Sequence, residues 1–77
     1  MRRLQILGTG CTKCRMLTDH TERAAAALGL ECTIEKVTDI DEIVAFGVVS
    51  TPALVVDGEI KVSGRVPTVD AIKRLLS

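Results

Sequence analysis

The chain has 77 residues, with ten basic and ten acidic side chains and one aromatic residue, Phe46. A formal net charge of zero argues against the general attraction on which nucleic-acid binders depend, and one aromatic side chain cannot form a base-stacking platform. No apolar run approaches the roughly 18 residues that a membrane-spanning helix needs. We therefore expect neither nucleic acid nor a membrane as partner.

The apolar fraction, 47 % of residues, is typical of a packed globule, and this length suits one domain over residues 1–77. The first apolar run is interrupted by Gln5 and is shorter than a signal-peptide core of about 7–15 residues. We expect a cytoplasmic monomer.

The first half of the chain alternates strand and helix patterns. Residues 2–7 form a short apolar-leaning run, typical of an interior strand. Over residues 12–28, small and apolar residues recur every three or four positions, which predicts an amphipathic helix that ends at Gly29. Residues 31–37 alternate apolar and charged side chains, which indicates a half-exposed edge strand. The predicted apolar positions of the helix are Cys14, Leu17, Thr21, Ala24 and Leu28.

A second, shorter helix is predicted after this strand. Asp39 is a suitable N-cap residue with a glutamate three positions later. Ile40, Ile43 and Val44 form its apolar stripe, and the pattern stops at Phe46.

The last third of the chain predicts a β-hairpin and a final helix. Residues 52–56 are almost all apolar, and residues 59–63 alternate. The intervening Asp57 and Gly58 form a strong hairpin signal. Residues 69–76 have helical spacing with basic residues in the last turn. The predicted order is βαβαββα.

Three cysteines make an odd count, which argues against a disulfide framework of the kind that small secreted proteins use. Cys11 and Cys14 are three residues apart at the start of the first helix, so their sulfurs lie on one face, close enough to bridge. Redox chemistry, a zinc site and a structural disulfide are all compatible with this spacing. A zinc site needs two more ligands, and we do not expect His20 and Cys32 to converge on the pair.

The helix N-terminus is expected to lower the pKa of Cys11, because unpaired N–H groups and the positive end of the helix dipole favour the thiolate. Lys13, Arg15 and Arg65 add positive charge. Cys11 is therefore the predicted nucleophile. Cys14, which faces the apolar side, is the predicted resolving cysteine.

Three segments, residues 8–14 (GTGCTKC), 50–58 (STPALVVDG) and 63–67 (SGRVP), together resemble the small stand-alone thioredoxin-like and glutaredoxin-like proteins of archaea and bacteria. The resemblance implies an α/β thioredoxin fold with a four-stranded mixed sheet in the order 2-1-3-4. It places the first and last helices on one face of that sheet and the middle helix on the other.

The resemblance also implies a set of residues around the cysteines. Thr51 and Pro52 are expected to form a cis peptide facing the cysteines, with Thr51 offering backbone groups to a partner peptide. Gly64 follows the last strand. The expected residues that shape the site or bind substrate are Thr51, Pro52, Gly64, Lys13 and Thr12, with no metal ligand among them.

The sequence departs from the common members of the family. No tryptophan precedes the motif, and no proline lies between its cysteines. Gln5 stands six residues before Cys11, where thioredoxins often bury an aspartate, and a carboxamide cannot shuttle protons. The segment at Gly64 also lacks the Gly-Gly pair that is usual in glutaredoxins that bind glutathione.

We predict a thiol–disulfide oxidoreductase that acts on disulfides of partner proteins and is regenerated by an external dithiol donor, without an organic cofactor. A zinc or iron–sulfur module that dimerises through the Cys-x-x-Cys motif is one alternative. A dedicated electron-transfer partner of a single enzyme is another.

Three further features are predicted to be structural. Cys32 is expected to be a small buried hydrophobe, and His20 a solvated residue. The acidic residues are expected to be solvated surface, far from Lys13 and Arg65. This separation raises the hypothesis of a dipolar molecule that faces an acidic partner surface. These acidic residues are Glu31, Glu35, Asp39, Asp41 and Glu42.

Overall fold

The structure, a computed structural model, describes residues 2–10, 12–48 and 50–76. Its elements are β1 (Arg2–Leu7), α1 (Thr12–Ala27), β2 (Cys32–Val37), α2 (Ile40–Ala45), β3 (Ala53–Val56), β4 (Glu59–Ser63) and α3 (Val69–Leu76). The sheet order is β2-β1-β3-β4, with β2 parallel to β1 and the other pairs antiparallel. The predicted element order and sheet order are both confirmed.

The side chains of β1 divide the core into two layers, because successive residues of a strand point to opposite faces. Leu4 and Ile6 pack with the buried residues of α1 and α3. Leu7 packs on the other face with Ile43 of α2. The first and last helices therefore share one face of the sheet, as expected.

The β3–β4 hairpin follows the sequence closely. All four residues of β3 are buried, because this strand lies inside the sheet with helices over both faces. Asp57 and Gly58 both have positive φ, 50° and 84°, as a type I′ turn requires.

Helix α1 buries two residues that the periodicity omitted, Thr18 and Ala25, and exposes one that it included, Leu28. Thr18 and Thr21 are buried, and their hydroxyls donate to the carbonyls of Cys14 at 2.9 Å and Leu17 at 2.7 Å. These bonds satisfy polar groups inside the apolar layer. Leu28, which was predicted to belong to the apolar face of the helix, is 38 % exposed, because the helix has already ended at Ala27.

The predicted stripe of α2 was wrong at two positions. Ile40 and Val44 are exposed, and Ile43 alone is buried. The helix has only six residues, so it directs about one side chain toward the sheet. Asp39 caps it as predicted, because its carboxylate accepts the N–H of Asp41 at 2.9 Å.

None of the helices in the described parts of the chain is long and apolar enough to cross a membrane.

We expect Ile43→Ala to lower the free energy of unfolding by about 2 kcal/mol or more, because it removes the one buried side chain of α2. Val44→Ala, on the exposed side of the same helix, should change it by less than about 0.5 kcal/mol. Urea denaturation of both variants measures the difference. Equal costs would contradict the orientation of α2.

Candidate functional site

The site lies where the end of β1, the first turn of α1 and the segment before β3 meet. Gly8 follows β1, and its N–H donates to the carbonyl of Val37 at 3.0 Å. The Thr51–Pro52 peptide bond is cis, and Pro52 is buried. The pairing of Leu7 with Ala53 brings the carboxyl end of β1 next to Pro52.

Cys11, the predicted nucleophile, lies outside the described residues. Cys14 lies in the first turn of α1 and is 5 % exposed. A Cβ placed on Gly8 would lie 2.2 Å from the Sγ of Cys14 and 4.0 Å from the Cα of Pro52. Gly8, Cys14 and Pro52 therefore meet at one point, and only glycine leaves room for the sulfur.

The importance of Gly8 was missed in the sequence, where the residue signals a turn. Its φ lies outside the left-handed region, so the position needs small volume and not conformational freedom. The available signal was its place directly after an interior strand and three residues before Cys11.

The Pro52 loop is held by the end of β4. The N–H of Gly64 donates to the carbonyl of Pro52 at 2.8 Å, and the hydroxyl of Ser63 donates to the carbonyl of Ser50 at 3.1 Å. Gly64 has a φ of 77°, and a Cβ there would lie 2.3 Å from the hydroxyl of Ser50. Close approach and backbone conformation thus both favour glycine at this position.

Thr51 is exposed on this loop. No described residue hydrogen-bonds its backbone N–H or carbonyl. Both groups are consequently available to an extended peptide, which can pair with them as an additional strand does.

A small cavity of about 50 Å³ lies beside Cys14. Arg15 from α1 and Lys36 from β2 line it, and none of its described lining residues is acidic. Lys36 reaches this place because its register partner is Ile6, whose side chain faces α1. The remaining lining residues are Ile6, Gly8, Gly10, Thr18 and Thr38.

Thr12 and Lys13, the first residues of α1, are exposed, and so is Arg65 after Gly64. One acidic residue, Asp39, directly follows Thr38, which lines the cavity. The expected separation of the acidic residues from Lys13 and Arg65 stays a prediction. β2 is parallel to β1 and ends beside Gly8, which brings the start of α2 close to the site.

Gln5 lies on the opposite face of β1 from the Cys14 cavity. It is 6 % exposed and borders a groove of about 510 Å³, together with Phe46 and α2. No described residue hydrogen-bonds its carboxamide.

Arg3 and Glu35 also line this groove. Glu35 raises the pKa of Arg3, first through a side-chain hydrogen bond and second through its charge.

His20 is not simply solvated, which corrects the expectation from its position on the helix. Its Nδ1 lies 2.9 Å from the carbonyl of Pro67, so this nitrogen carries the proton and donates. The contact joins α1 to the segment that leads into α3. Residue periodicity along one helix gives no signal for such a contact.

Cys32 is half-buried at the start of β2 and packs against the layer of α1 and α3. It pairs with Arg2, whereas the site is at the other end of the sheet, five residues or about 16 Å along the strand. Among the described residues, no three histidine, cysteine or acidic side chains come together to hold a metal ion. His20 and Cys32 do not converge.

A family model described as a thioredoxin domain matches residues 2–77. The chain is 42 % identical over 77 residues to a protein named thioredoxin from Methanothermobacter thermautotrophicus, covering all of both chains. It is 38 % identical over 73 residues to a thioredoxin from Methanocaldococcus jannaschii, covering 95 % of this chain and 84 % of the relative.

The contact between Gly8 and Cys14 can be tested by a double-mutant cycle. We expect Gly8→Ala to cost about 1–3 kcal/mol of unfolding free energy, because the new methyl group overlaps the sulfur. The cost should fall in a Cys14→Ala background, where the sulfur is absent. Urea denaturation under reducing conditions measures both. A cost that is the same in the two backgrounds would contradict the geometry.

Proposed function

Since the chain belongs to the thioredoxin family and is a thiol–disulfide oxidoreductase, we propose that Cys11 attacks a disulfide of a partner protein and that Cys14 resolves the mixed disulfide. Such a protein requires disulfide-containing substrates and a reducing donor. The burial of Cys14 against Gly8 and Pro52 carries the assignment of roles. A buried sulfur cannot meet a client first, but it can attack a neighbouring sulfur.

The position of Cys11 supports its role as nucleophile. It immediately precedes Thr12, the first residue of α1, where unsatisfied N–H groups favour an anion. Thiolate is the attacking form, so this position increases reactivity at neutral pH.

The reaction proceeds by two exchanges. The thiolate of Cys11 forms a bond to one client sulfur, and the other client sulfur leaves as a thiolate that takes a proton. Cys14, after losing its proton, attacks Cys11 and releases the first client sulfur, leaving a Cys11–Cys14 disulfide. Two electrons and two protons have then passed to the client. An external dithiol donor returns both and is itself oxidised to a disulfide.

The dithiol is the redox group, so no organic cofactor is required. Gln5 borders a groove on the other face of β1 and has no ionisable group, so it cannot take the proton of Cys14. We propose that water or a group of the partner takes it. The small cavity beside Cys14 supports access of a water molecule to this side of the helix.

The client peptide is proposed to bind between Thr51, Pro52 and Gly64. The available backbone groups of Thr51 support pairing with an extended segment, and the Gly64–Pro52 hydrogen bond supports a preorganised loop. Thr12 and Lys13, the first residues of α1, are proposed to border the same region. We propose that the protein acts in the cytoplasm as a monomer on protein clients, and not on nucleic acid or membranes.

Single cysteine substitutions test the two roles. Cys11→Ser should abolish the reduction of a protein disulfide, because the attacking sulfur is gone. Cys14→Ser should accumulate a covalent complex with the client, detected by mass spectrometry and dissolved by dithiothreitol. Cys32→Ser, remote from the site, is the matched control and should retain turnover.

Full turnover by Cys14→Ser, or loss of activity in Cys32→Ser, would contradict the assignment. Stoichiometric zinc or iron in the purified wild-type protein, with thiols that do not react, would instead support the metal-binding alternative.

The pH dependence of alkylation tests the activation of Cys11. In a Cys14→Ser/Cys32→Ser variant only one thiol remains, and its rate of reaction with iodoacetamide follows the thiolate fraction. The helix N-terminus favours the thiolate, so the rate should reach half its maximum below the value of about 8.5 typical of a free cysteine. Unfolding in urea should return the midpoint toward that value. The same midpoint in both states would contradict helix activation.

A further inference from the structure

We propose that the site prefers disulfides flanked by an acidic residue, whose carboxylate binds between Arg15 and Lys36 in the cavity beside Cys14. This inference rests on the proposed function and adds a substrate class to it. It depends on where these two cations lie and on two absences among the described residues: no ion-pair partner for either cation, and no acidic residue in the cavity lining.

Arg15 and Lys36 come from different elements and meet only in the fold. Arg15 is in the first turn of α1, and Lys36 is the register partner of Ile6 in β1. Both line the cavity of about 50 Å³ that Cys14 also borders. About 10–15 Å³ of such space holds one water molecule, so this cavity has room for a small polar group. Because Cys14 borders the cavity, the proposed carboxylate site lies next to one of the two sulfurs of the exchange.

The cations near the site differ from three cations elsewhere in the chain that have acidic partners. Arg3, Arg23 and Lys61 form ion pairs with acidic residues at 3.2, 3.0 and 3.3 Å. Within the described residues, no acidic side chain pairs with the four cations around the site. Those four are Lys13, Arg15, Lys36 and Arg65. Their charge is therefore available to a ligand from outside.

The nearest acidic residues limit the direction from which an acidic client approaches. Asp39 follows Thr38, but its carboxylate accepts the N–H of Asp41 and caps α2. Glu42 borders the groove on the other face of the sheet. The acidic residue of the client therefore has to lie on the α1 side of the scissile disulfide. On the α2 side it would meet like charge.

Exposed charges of this kind act mainly on the rate of encounter, and salt screens them over about 10 Å at 0.1 M. The proposed preference should consequently appear in the second-order rate constant of reduction and weaken at high ionic strength.

The test uses three peptides of equal length, each carrying one cysteine in a disulfide with neutral 2-mercaptoethanol. Their only difference is the flanking residue on each side of the cysteine: glutamate, glutamine or lysine. Stopped-flow reduction by the reduced wild-type protein gives a rate constant for each at 20 mM and 300 mM salt. We expect the glutamate peptide to react about 3–10 times faster than the glutamine peptide at low salt. The lysine peptide should be slowest, and the ratio should approach one at high salt.

An Arg15→Gln/Lys36→Gln variant tests whether the preference for the glutamate peptide comes from the two cations of the cavity. Lys73→Gln is the matched control. Lys73 is another cation without an ion pair among the described residues, and it borders a pocket on α3 that shares no described lining residue with the cavity beside Cys14. The glutamate-to-glutamine rate ratio should fall to about one in the double variant and should persist in Lys73→Gln.

The outcomes separate the two proposals. If no peptide is reduced, the proposed function fails and this inference fails with it. If the glutamine peptide is reduced and the wild-type ratio is one or less, only the acidic preference is overturned. A ratio that survives in the double variant, or that falls equally in Lys73→Gln, overturns the assignment to the cavity.

Discussion

The arrangement of the site depends on one steric constraint, the absence of a side chain at Gly8. The sulfur of Cys14 occupies the space that a Cβ would take, and Pro52, in the segment before β3, lies next to the same point. The first turn of α1 can approach the end of β1 only under this condition. A central strand, a helix and a loop from distant parts of the sequence are thereby held in one position around the buried sulfur.

The two layers that cover the faces of the sheet differ in how many side chains they bury, and the larger one includes α1, which carries Cys14. α1 and α3 form the thicker layer. The hydrogen bond from His20 to the carbonyl of Pro67 connects α1 to the segment that leads into α3. The hydrogen bond from Gly64 to Pro52 fixes the loop from the β4 side. On the opposite face, the short helix α2 contributes little more than Ile43. Rigidity is thus concentrated on the face that holds Cys14.

The element order could be predicted because its signals are local: apolar periods, the Asp57-Gly58 turn and the Asp39 cap. Other features depend on tertiary contacts that periodicity does not encode. The prediction that three residues of α2 form a buried apolar stripe was wrong, because a helix of six residues cannot direct all three side chains toward the sheet. The position of Lys36 beside Cys14 depends on the register of β2 against β1, which the sequence of β2 alone does not predict. The steric role of Gly8 required the position of a sulfur six residues away, across a turn.

The thin α2 layer also has a consequence for the dynamics of the molecule. Segments with few buried side chains open at lower free energy than the rest of a protein, and α2 meets this description better than α1 or α3. Its transient opening would uncover Leu7 and the carboxamide of Gln5 from the far face of β1. The packing of Cys14 lies on the near face and would not be broken. Opening of the α2 layer would therefore expose the far face of β1 while the contact between Cys14 and Gly8 on the near face stays in place.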